Sequence, residues 1–395
     1  MAEDYGLVLN AGSSSLKFCV FRRPVGGSWQ IAERGQIEGI GTAPQLSVKD
    51  SEGCRVADHS LSEQVRNWPF AIDEVAAWLR ARYDRSRLLA VGHRVVHGGA
   101  RFEHPAILDQ QILAELRELV PLAPLHQPYN LAAIEAVFER LPGVPQVACF
   151  DTSFHRGHSP VADLIPLPQH ICGSTLKRYG FHGLSYEYIA TVLPEVAPEI
   201  ADKRVIIAHL GSGASLCALK NGKSVDNTLG FTALDGLCMG TRPGTLDPGV
   251  VLYLFQNLGL SEKQVEGILY KKSGLLGISG ISNDVRNLLA SDDRNAQLAL
   301  DYFVYRITKE IGALTAVLGG LDGLVFTAGI GENSPEMRKR ICESAAWLGV
   351  ELETRANAQR CLRISSEKSK VSTWVIPTNE ELLIARQTAS LLGLR

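Results

Sequence analysis

The sequence predicts an α/β protein built from two duplicated domains flanking a cleft. Two observations carry this. Short apolar runs alternate with segments of helical spacing along the chain, the pattern of layered α/β folds. In addition, one strand–turn–strand unit occurs twice. Leu7-Val8-Leu9 enters the turn Asn10-Ala11-Gly12-Ser13-Ser14-Ser15-Leu16-Lys17, and Phe18-Cys19-Val20-Phe21 leaves it. Half the chain later, Val205-Ile206-Ile207-Ala208-His209-Leu210 enters Gly211-Ser212-Gly213-Ala214-Ser215, and Leu216-Cys217-Ala218-Leu219 runs out to Asn221-Gly222. Apolar runs on both sides of a small polar cluster read as a hairpin. A turn rich in Gly and Ser directs backbone N–H groups at an anion, hydroxyls add donors, and Lys17 adds a point charge. Two like hairpins therefore predict two related domains, each presenting a phosphate-binding turn to a shared cleft.

Composition agrees. A chain of 395 residues that is 45% hydrophobic can bury a core in each half. Lys and Arg number 40 against 42 Asp and Glu, a net charge of −2 that argues against nucleic acid or an acidic membrane as the main partner. No apolar run approaches the roughly 18 residues of a membrane span. The acidic start Met1-Ala2-Glu3-Asp4 carries no secretory signal pattern. Eight cysteines form no C-x-x-C pair, and most sit in apolar runs, as buried thiols of a reducing cytoplasm do. Gly222-Lys223-Ser224 has Cys217 where a P-loop needs its first glycine, which excludes that nucleotide-binding class.

In chain order, Gly26-Gly27 reads as a turn, and the stretch from Gly35 to Gly53 as strands extending the first sheet. Pro69 opens an amphipathic helix with Phe70, Val75 and Leu79 inward. Leu88 to Val91 is a buried strand, with Arg94 just past it in Gly92-His93-Arg94-Val95-Val96-His97-Gly98-Gly99. Asp109 caps a helix carrying Ile112, Leu113, Leu116, Leu119 and Val120, which Pro121 stops. A loop from Leu122 to Pro128 holds His126. Leu131, Ile134, Val137 and Phe138 mark the next helix, and the strand Val147 to Phe150 ends at Asp151. The first domain is thus expected over 1–150 with the final helix, 380–395, returning to it. The second spans 151–379. It holds a sheet starting at Val205, a long helix from Asp292 to Leu318 and the strand Leu324 to Thr327. A glycine loop, Gly329-Ile330-Gly331-Glu332-Asn333, then leads to a helix starting at Ser334-Pro335. A strand, a glycine loop and a helix N-terminus suit a nucleotide. Thr378 and Glu381 fit a capping box, and the chain crossings near Asp151 and Thr378 are the expected hinges.

The candidate chemistry is a set of cations with one acid. Arg94 beside a strand end suits a bidentate grip on carboxylate or phosphate. Arg242, in Met239-Gly240-Thr241-Arg242-Pro243-Gly244, has its backbone fixed by glycine and proline. His126 and His182 stand in loops. Asp151 ends a strand, where open sheets place ligands. The bland alternatives are a surface ion pair for Arg94, packed hydrogen-bonding histidines, and a helix cap for Asp151. Together the five groups form an acceptor site of the kind phosphoryl transfer needs, because charge builds on the transferring oxygens. Magnesium, with manganese as a substitute, needs hard oxygen ligands, for which Asn10 and Glu380 are candidates.

The duplicated hairpins resemble those of the sugar kinase, actin and Hsp70 superfamily, with its actin-like (ribonuclease H-like) domains. Within it the chain resembles the acetate kinase family. The shared motifs are NAGSSSLK at Asn10, GHRVVHGG at Gly92, PLAPLHQP at Pro121, FDTSFH at Phe150, RYGFHG at Arg178, HLGSGAS at His209, GTR at Gly240, GIGEN at Gly329 and PTNEE at Pro377. The resemblance implies reversible phosphoryl transfer between ATP and a short-chain carboxylate, giving an acyl phosphate and ADP, in a cytoplasmic homodimer. It implies that Arg94 and Arg242 grip the carboxylate and the transferring group, that His182 contacts the transition state with His126 nearby, and that Asp151 takes the position treated as catalytic. Asn10 and Glu380 match the magnesium positions. Ser13, Ser15 and Lys17 match the first phosphate turn. His209, Leu210, Gly211, Ser212 and Gly213, then Asp284, Val285 and Arg286, then Gly329 to Asn333 (Ile330, Gly331 and Glu332 between them) match the nucleotide segments.

Two departures stand out. Ser212 replaces the family's usual asparagine, and Ala233 replaces a proline. An acyl pocket formed by Val96, Leu125, Phe181 and Ala233 would gain room, which makes propionate a second candidate substrate. One methylene of selectivity is worth only about 1–3 kcal/mol. A carboxylate acceptor is ionised near neutral pH and needs no general base, so Asp151 is expected to orient an arginine or a metal-bound water. The competing readings are a sugar or polyol kinase, in which Asp151 would be an essential base, and an actin- or Hsp70-like assembly protein, which leaves Arg94, His126, His182 and Arg242 unexplained.

Overall fold

The computed structural model describes residues 4–22, 29–84, 86–173 and 175–394. The Gly26-Gly27 turn expected from sequence lies outside them. The described chain falls into two compact units, one within Met1–Ser153 and Asn379–Arg395, the other Phe154–Thr378. No described helix is long and apolar enough to cross a membrane.

The first unit holds an eight-stranded sheet. Its strands are β1 (Tyr5–Ala11), β2 (Ser15–Arg22), β3 (Gln30–Glu38), β4 (Gln45–Asp50), β5 (Arg55–Ser60), β6 (Leu88–Val95), β7 (Ala106–Ile107) and β8 (Gln146–Phe150). They lie in the order β5-β4-β3-β2-β1-β6-β8-β7. The second unit has β9 (Arg204–Leu210), β10 (Ala214–Lys220), β11 (Lys223–Asn227), β12 (Gly323–Thr327) and β13 (Ser372–Val375), in the order β11-β10-β9-β12-β13. The two share one plan. An antiparallel meander (β1-β2-β3, and β9-β10-β11) is followed on the far side of its first strand by two parallel strands (β6-β8, and β12-β13). The fold is α/β with one sheet topology used twice, as the repeated hairpin predicts.

The central strands of this plan, such as β9 and β10, are buried on both faces, so they read as apolar runs, whereas β3 at the outer side of the meander alternates. β8 and β12 have every residue buried. In the first unit Leu7, Leu9, Phe18 and Val91 pack with helix Trp68–Arg82. In the second, Tyr186, Ile189 and Leu193 of helix Gly183–Val196 pack on Val205, Ile207, Cys217 and Val325. Helix Glu380–Leu391 lies on the first sheet at β6. A Cβ at Gly92 would stand 2.5 Å from Thr388 Oγ1 and 2.7 Å from Ile384, so only glycine lets that helix approach.

Five local expectations change. Helix Trp68–Arg82 is capped by Asn67 and buries Trp68, Ala71, Ile72, Val75, Ala76 and Leu79, a continuous stripe. Phe70 stands about 140° around the helix from Val75 at 100° per residue and is 41% exposed. Arg94 is inside β6 rather than past it, because parallel pairing with β8 continues through Val95. His126 is the N-cap residue of helix Gln127–Arg140, so Gln127 and Pro128 are helical rather than loop. The segment Gly329 to Asn333 is not an open loop but the body of a short helix, Ala328–Asn333. Finally, the last helix is capped by Asn379, whose Oδ1 accepts from the Leu382 N–H at 3.1 Å. Thr378 is one residue too early for a capping box, and Glu380 and Glu381 fill the first helical turn, where acids suit the helix dipole.

Candidate functional site

In the first unit the predicted polar residues gather at the carboxyl ends of three neighbouring parallel strands, where open α/β sheets place ligands. Leu9 of β1 pairs in register with His93 of β6, and Val95 of β6 with Phe150 of β8. Asn10, Arg94 and Asp151 therefore stand side by side. Across the hairpin, Asn10 pairs with Lys17, and the tip residues Ser13 and Ser14 are exposed.

Arg94 donates to both oxygens of Asp151, from Nε at 3.1 Å and Nη2 at 2.8 Å, and its Nε lies 3.6 Å from Glu380 Oε2. Asp151 is only 3% exposed in this pair. A bidentate fork of this kind fixes the guanidinium plane. Burial works against the Arg94 charge, but Asp151 and Glu380 outweigh it and hold its pKa above the ordinary value. Glu380 answers in the opposite sense. Burial, then Asp151 and Glu381, raise its carboxyl to about 7 against the pull of Arg94 and Lys17.

An acid whose folded pKa is raised stabilises the fold fully below its unfolded value, 4.5 here, and loses that contribution as pH rises through about 7. Metal-free protein should therefore lose stability relative to Glu380→Gln between about pH 5 and 8, by up to roughly 3 kcal/mol. Melting curves of the two proteins that run parallel across this range would refute the raised carboxyl.

Sequence reasoning missed the residues that hold this end of the sheet together. Asn130 is 3% exposed. Its Nδ2 donates to the Ala11 carbonyl, and its Oδ1 accepts from the Val96 N–H, both at 3.0 Å. Gln127, fully buried, accepts from the His97 N–H at 3.2 Å and donates to the His97 carbonyl at 3.0 Å. The signal was present in the pattern. Gln127, Asn130, Leu131, Ile134 and Val137 form one buried helical stripe in which two members are amides, and buried amides need partners. Of the remaining candidates here, Val96 and Leu125 are half-buried and His126 is exposed.

In the second unit the turn Gly211-Ser212-Gly213 links β9 to β10, closed by the Gly211 N–H on the Gly213 carbonyl at 3.0 Å. The arginine loop hangs from it, since the Gly240 N–H donates to the Ser212 carbonyl at 3.1 Å. Arg242 Nη1 donates to the Ala233 carbonyl at 2.7 Å. The proline-to-alanine departure at 233 thus preserves the atom that orients the arginine. Burial depresses the Arg242 pKa, opposed only by the Tyr270 phenol, and no described carboxylate pairs with it. A Cβ at Gly213 would stand 2.8 Å from Arg242 Nη2 and 3.3 Å from His182 Nε2, so this glycine opens the space where the two side chains converge. His182 adopts left-handed backbone, φ 58°, as the residue before helix Gly183–Val196, a conformation a non-glycine residue holds at some cost. Its ring stacks on His209 at 4.2 Å and 16°.

Beside this turn lies a cavity of about 860 Å³. Gly211, Ser212, Asp284, Val285, Arg286, Gly329, Ile330 and Asn333 line it, with Ser334 and Pro335 of the expected helix start and with Asn283 and Glu336, which sequence reasoning did not single out. His209, Leu210, Gly213, Gly331 and Glu332 do not line it. Glu332 is used internally, its Oε1 accepting from the N–H groups of Ala328 at 2.8 Å and Thr378 at 3.1 Å. That grip holds Ala328 in left-handed backbone, φ 65°. Fully buried Arg338 supports the same turn through the carbonyls of Gly331 and Glu332 at 2.8 and 2.9 Å. Phe181 is 3% exposed, with its carbonyl on His155 Nε2.

Comparison with known proteins agrees with this geometry. The chain is 52% identical over 392 residues to an acetate kinase of Nitrobacter hamburgensis, covering 98% of this chain and 96% of that one. It is 50% identical over 391 residues to an acetate kinase of Rhizobium meliloti, covering 99% of each. Among solved structures, acetate kinase from Porphyromonas gingivalis superposes with a TM-score of 0.88 at 36% identity, over 98% of this chain and all of the other. A propionate kinase from Francisella tularensis superposes with a TM-score of 0.91 at 35% identity, over 98% and 99%. The profile of the Acetokinase family matches residues 5–386, and the chain belongs to that family.

Proposed function

We infer that this protein is an acetate kinase, transferring the terminal phosphoryl group of ATP directly to acetate and, in reverse, from acetyl phosphate to ADP. The observation that carries the chemistry is Arg242: a half-buried cation, held by a backbone carbonyl and unpaired by any described carboxylate. Such a group is a preorganised donor for an anion that arrives with the substrate. In this reading Arg242 and His182 stabilise the charge on the transferring phosphoryl oxygens. Arg94, aimed by Asp151, grips the carboxylate, with Val96, Leu125, His126 and Phe181 around the acyl group. The adenine nucleotide occupies the cavity lined by Asp284 to Arg286, Gly329, Ile330 and Asn333, while Ser13, Ser15 and Lys17 hold phosphate oxygens.

A magnesium ion fits the first unit. The Asp151 and Glu380 carboxylates both face Arg94, and burial, then Asp151 and Glu381, raises Glu380 to about 7. Asn10 and Glu380 supply hard oxygen ligands of the type this ion takes. When bound, the ion neutralises charge on the nucleotide phosphates.

The cytoplasm is the proposed location, in keeping with eight free cysteines. A homodimer is the proposed assembly. Helix Pro248–Gln256 supports it, because none of its residues is buried and Leu252 and Tyr253 are 54% and 52% exposed. Light scattering that gives the mass of a single chain would exclude it.

The direct test is trapping of acyl phosphate with hydroxylamine in the presence of magnesium and ATP, comparing acetate, propionate, butyrate and glycerol. Acetate should give the most hydroxamate, and propionate less, by about tenfold or more, the worth of one methylene. Propionate ahead of acetate would keep the mechanism and make this a propionate kinase. ATP consumption with glycerol and no hydroxamate from any acid would overturn the carboxylate reading in favour of a polyol kinase.

A further inference from the structure

Two imidazoles lie face to face beneath the Gly211–Gly213 turn, and each has a serine on its Nδ1. His182 Nδ1 is 2.7 Å from Ser215 Oγ, and His209 Nδ1 is 2.8 Å from Ser185 Oγ. The two serines differ in what stands behind them. Ser215 is fully buried, and its second partner is the hydroxyl of Tyr186, also fully buried. Burial raises the Tyr186 pKa well above its ordinary value, so this phenol keeps its proton. A buried hydroxyl must donate to something, and among the described residues Ser215 is its hydrogen-bond partner. Ser215 Oγ therefore accepts from Tyr186, and its own proton is left to point at His182 Nδ1. Behind the other ring the order reverses. Ser185 Oγ donates to Thr378 Oγ1 at 3.0 Å, which leaves its lone pairs to accept from His209 Nδ1–H.

We infer that Tyr186 and Ser215 are positioning residues that hold His182 as the imidazole with its proton on Nε2, while Ser185 holds the stacked His209 in the opposite tautomer, with its proton on Nδ1. The consequence lies at Gly213. His182 Nε2–H points to the space that Arg242 Nη2 also reaches, as the contacts of a Cβ built there show. The relay thus places a second hydrogen-bond donor beside the arginine without a second positive charge. A free imidazole can carry its proton on either nitrogen, and the hydrogen bond made by one nitrogen selects the form presented by the other. The functional weight of this relay rests on the reading of His182 as a contact of the transferring phosphoryl group. Its existence does not.

The test reads the ring nitrogens directly. Full-length protein labelled with ¹⁵N-histidine is examined without substrates near pH 8, where an ordinary histidine with pKa about 6.5 is neutral, and the His182 signals are assigned with His182→Asn. The expected spectrum shows His182 protonated on Nε2 and bare on Nδ1, and His209 the reverse. Ser215→Ala should let the Nδ1–H form of His182 appear and lower kcat about ten- to a hundredfold, the range of one misdirected hydrogen bond to a charged group, with the KM for ATP within about threefold of the parent. Tyr186→Phe should move both quantities in the same direction by less, and it keeps the test alive should the alanine variant fold poorly. A parent spectrum with the His182 proton on Nδ1, or unchanged ring nitrogens in Ser215→Ala, overturns the relay. Altered ring nitrogens with unchanged kcat leave the relay standing and overturn the role of His182 instead.

Discussion

Replacing Arg242 with alanine should lower kcat by about 10²- to 10³-fold or more, the loss seen when one preorganised donor to a developing charge is removed. The KM values should move much less. The structural reason is that no described carboxylate neutralises Arg242: its fixed partner is the Ala233 carbonyl, and burial has already depressed its pKa. The cost of burying that cation is met during folding, so its attraction for negative charge is greatest when charge is greatest, at the transferring phosphoryl group. Arg242→Lys should recover little, because an ammonium cannot hold the Ala233 carbonyl and reach past Gly213 at once. The fold should tolerate the change. Removing a half-buried charge that no described carboxylate pairs strands no counterion, so the melting temperature should hold or rise. A variant with normal kcat would remove Arg242 from the chemistry, and one with raised KM and normal kcat would make it a ground-state binder.

How far the site could be read from the sequence depended on whether a residue's partner was local. The two Gly/Ser-rich turns were legible because a hairpin is a local event: apolar runs on both sides and small polar residues within fix β1–β2 and β9–β10. The Ser334-Pro335 helix start was legible for the same reason. Asn130 was not, because its meaning lies in the Ala11 carbonyl and the Val96 N–H, groups brought to it only by the sheet. Glu332 failed in the opposite direction. It sits in a motif that reads as nucleotide contact, yet its carboxylate is spent on Ala328 and Thr378. Phe70 shows the limit of counting large apolar residues without phase, since a spacing of five from Val75 puts it off the buried stripe. Asp151 lies between these cases. Its place at a strand end was readable, but whether it acts as a base or a brace depends on Arg94, a long way back in the chain.

That last question has a decisive experiment. Arg94→Ala should reduce kcat by about 10²-fold or more, as for other anion-gripping arginines at a transfer site. Asp151→Asn should cost less, about ten- to a hundredfold, because the amide still offers one oxygen to the guanidinium while losing the charge-assisted fork. The pH profile of kcat/KM should keep its shape in Asp151→Asn, whereas loss of a general base would erase an ionisation limb. The double variant separates the two roles. If Asp151 works only by aiming Arg94, Asp151→Asn adds nothing once Arg94 is gone, and the double variant matches Arg94→Ala within about threefold. Stability should move the other way. Arg94→Ala strands a 3%-exposed carboxylate beside Glu380, at a cost of about 3–5 kcal/mol. Neutralising Asp151 in the same chain should restore much of that loss without restoring activity. A double variant much less active than Arg94→Ala would show that Asp151 acts on the substrate itself, and the brace would have to be abandoned for a base.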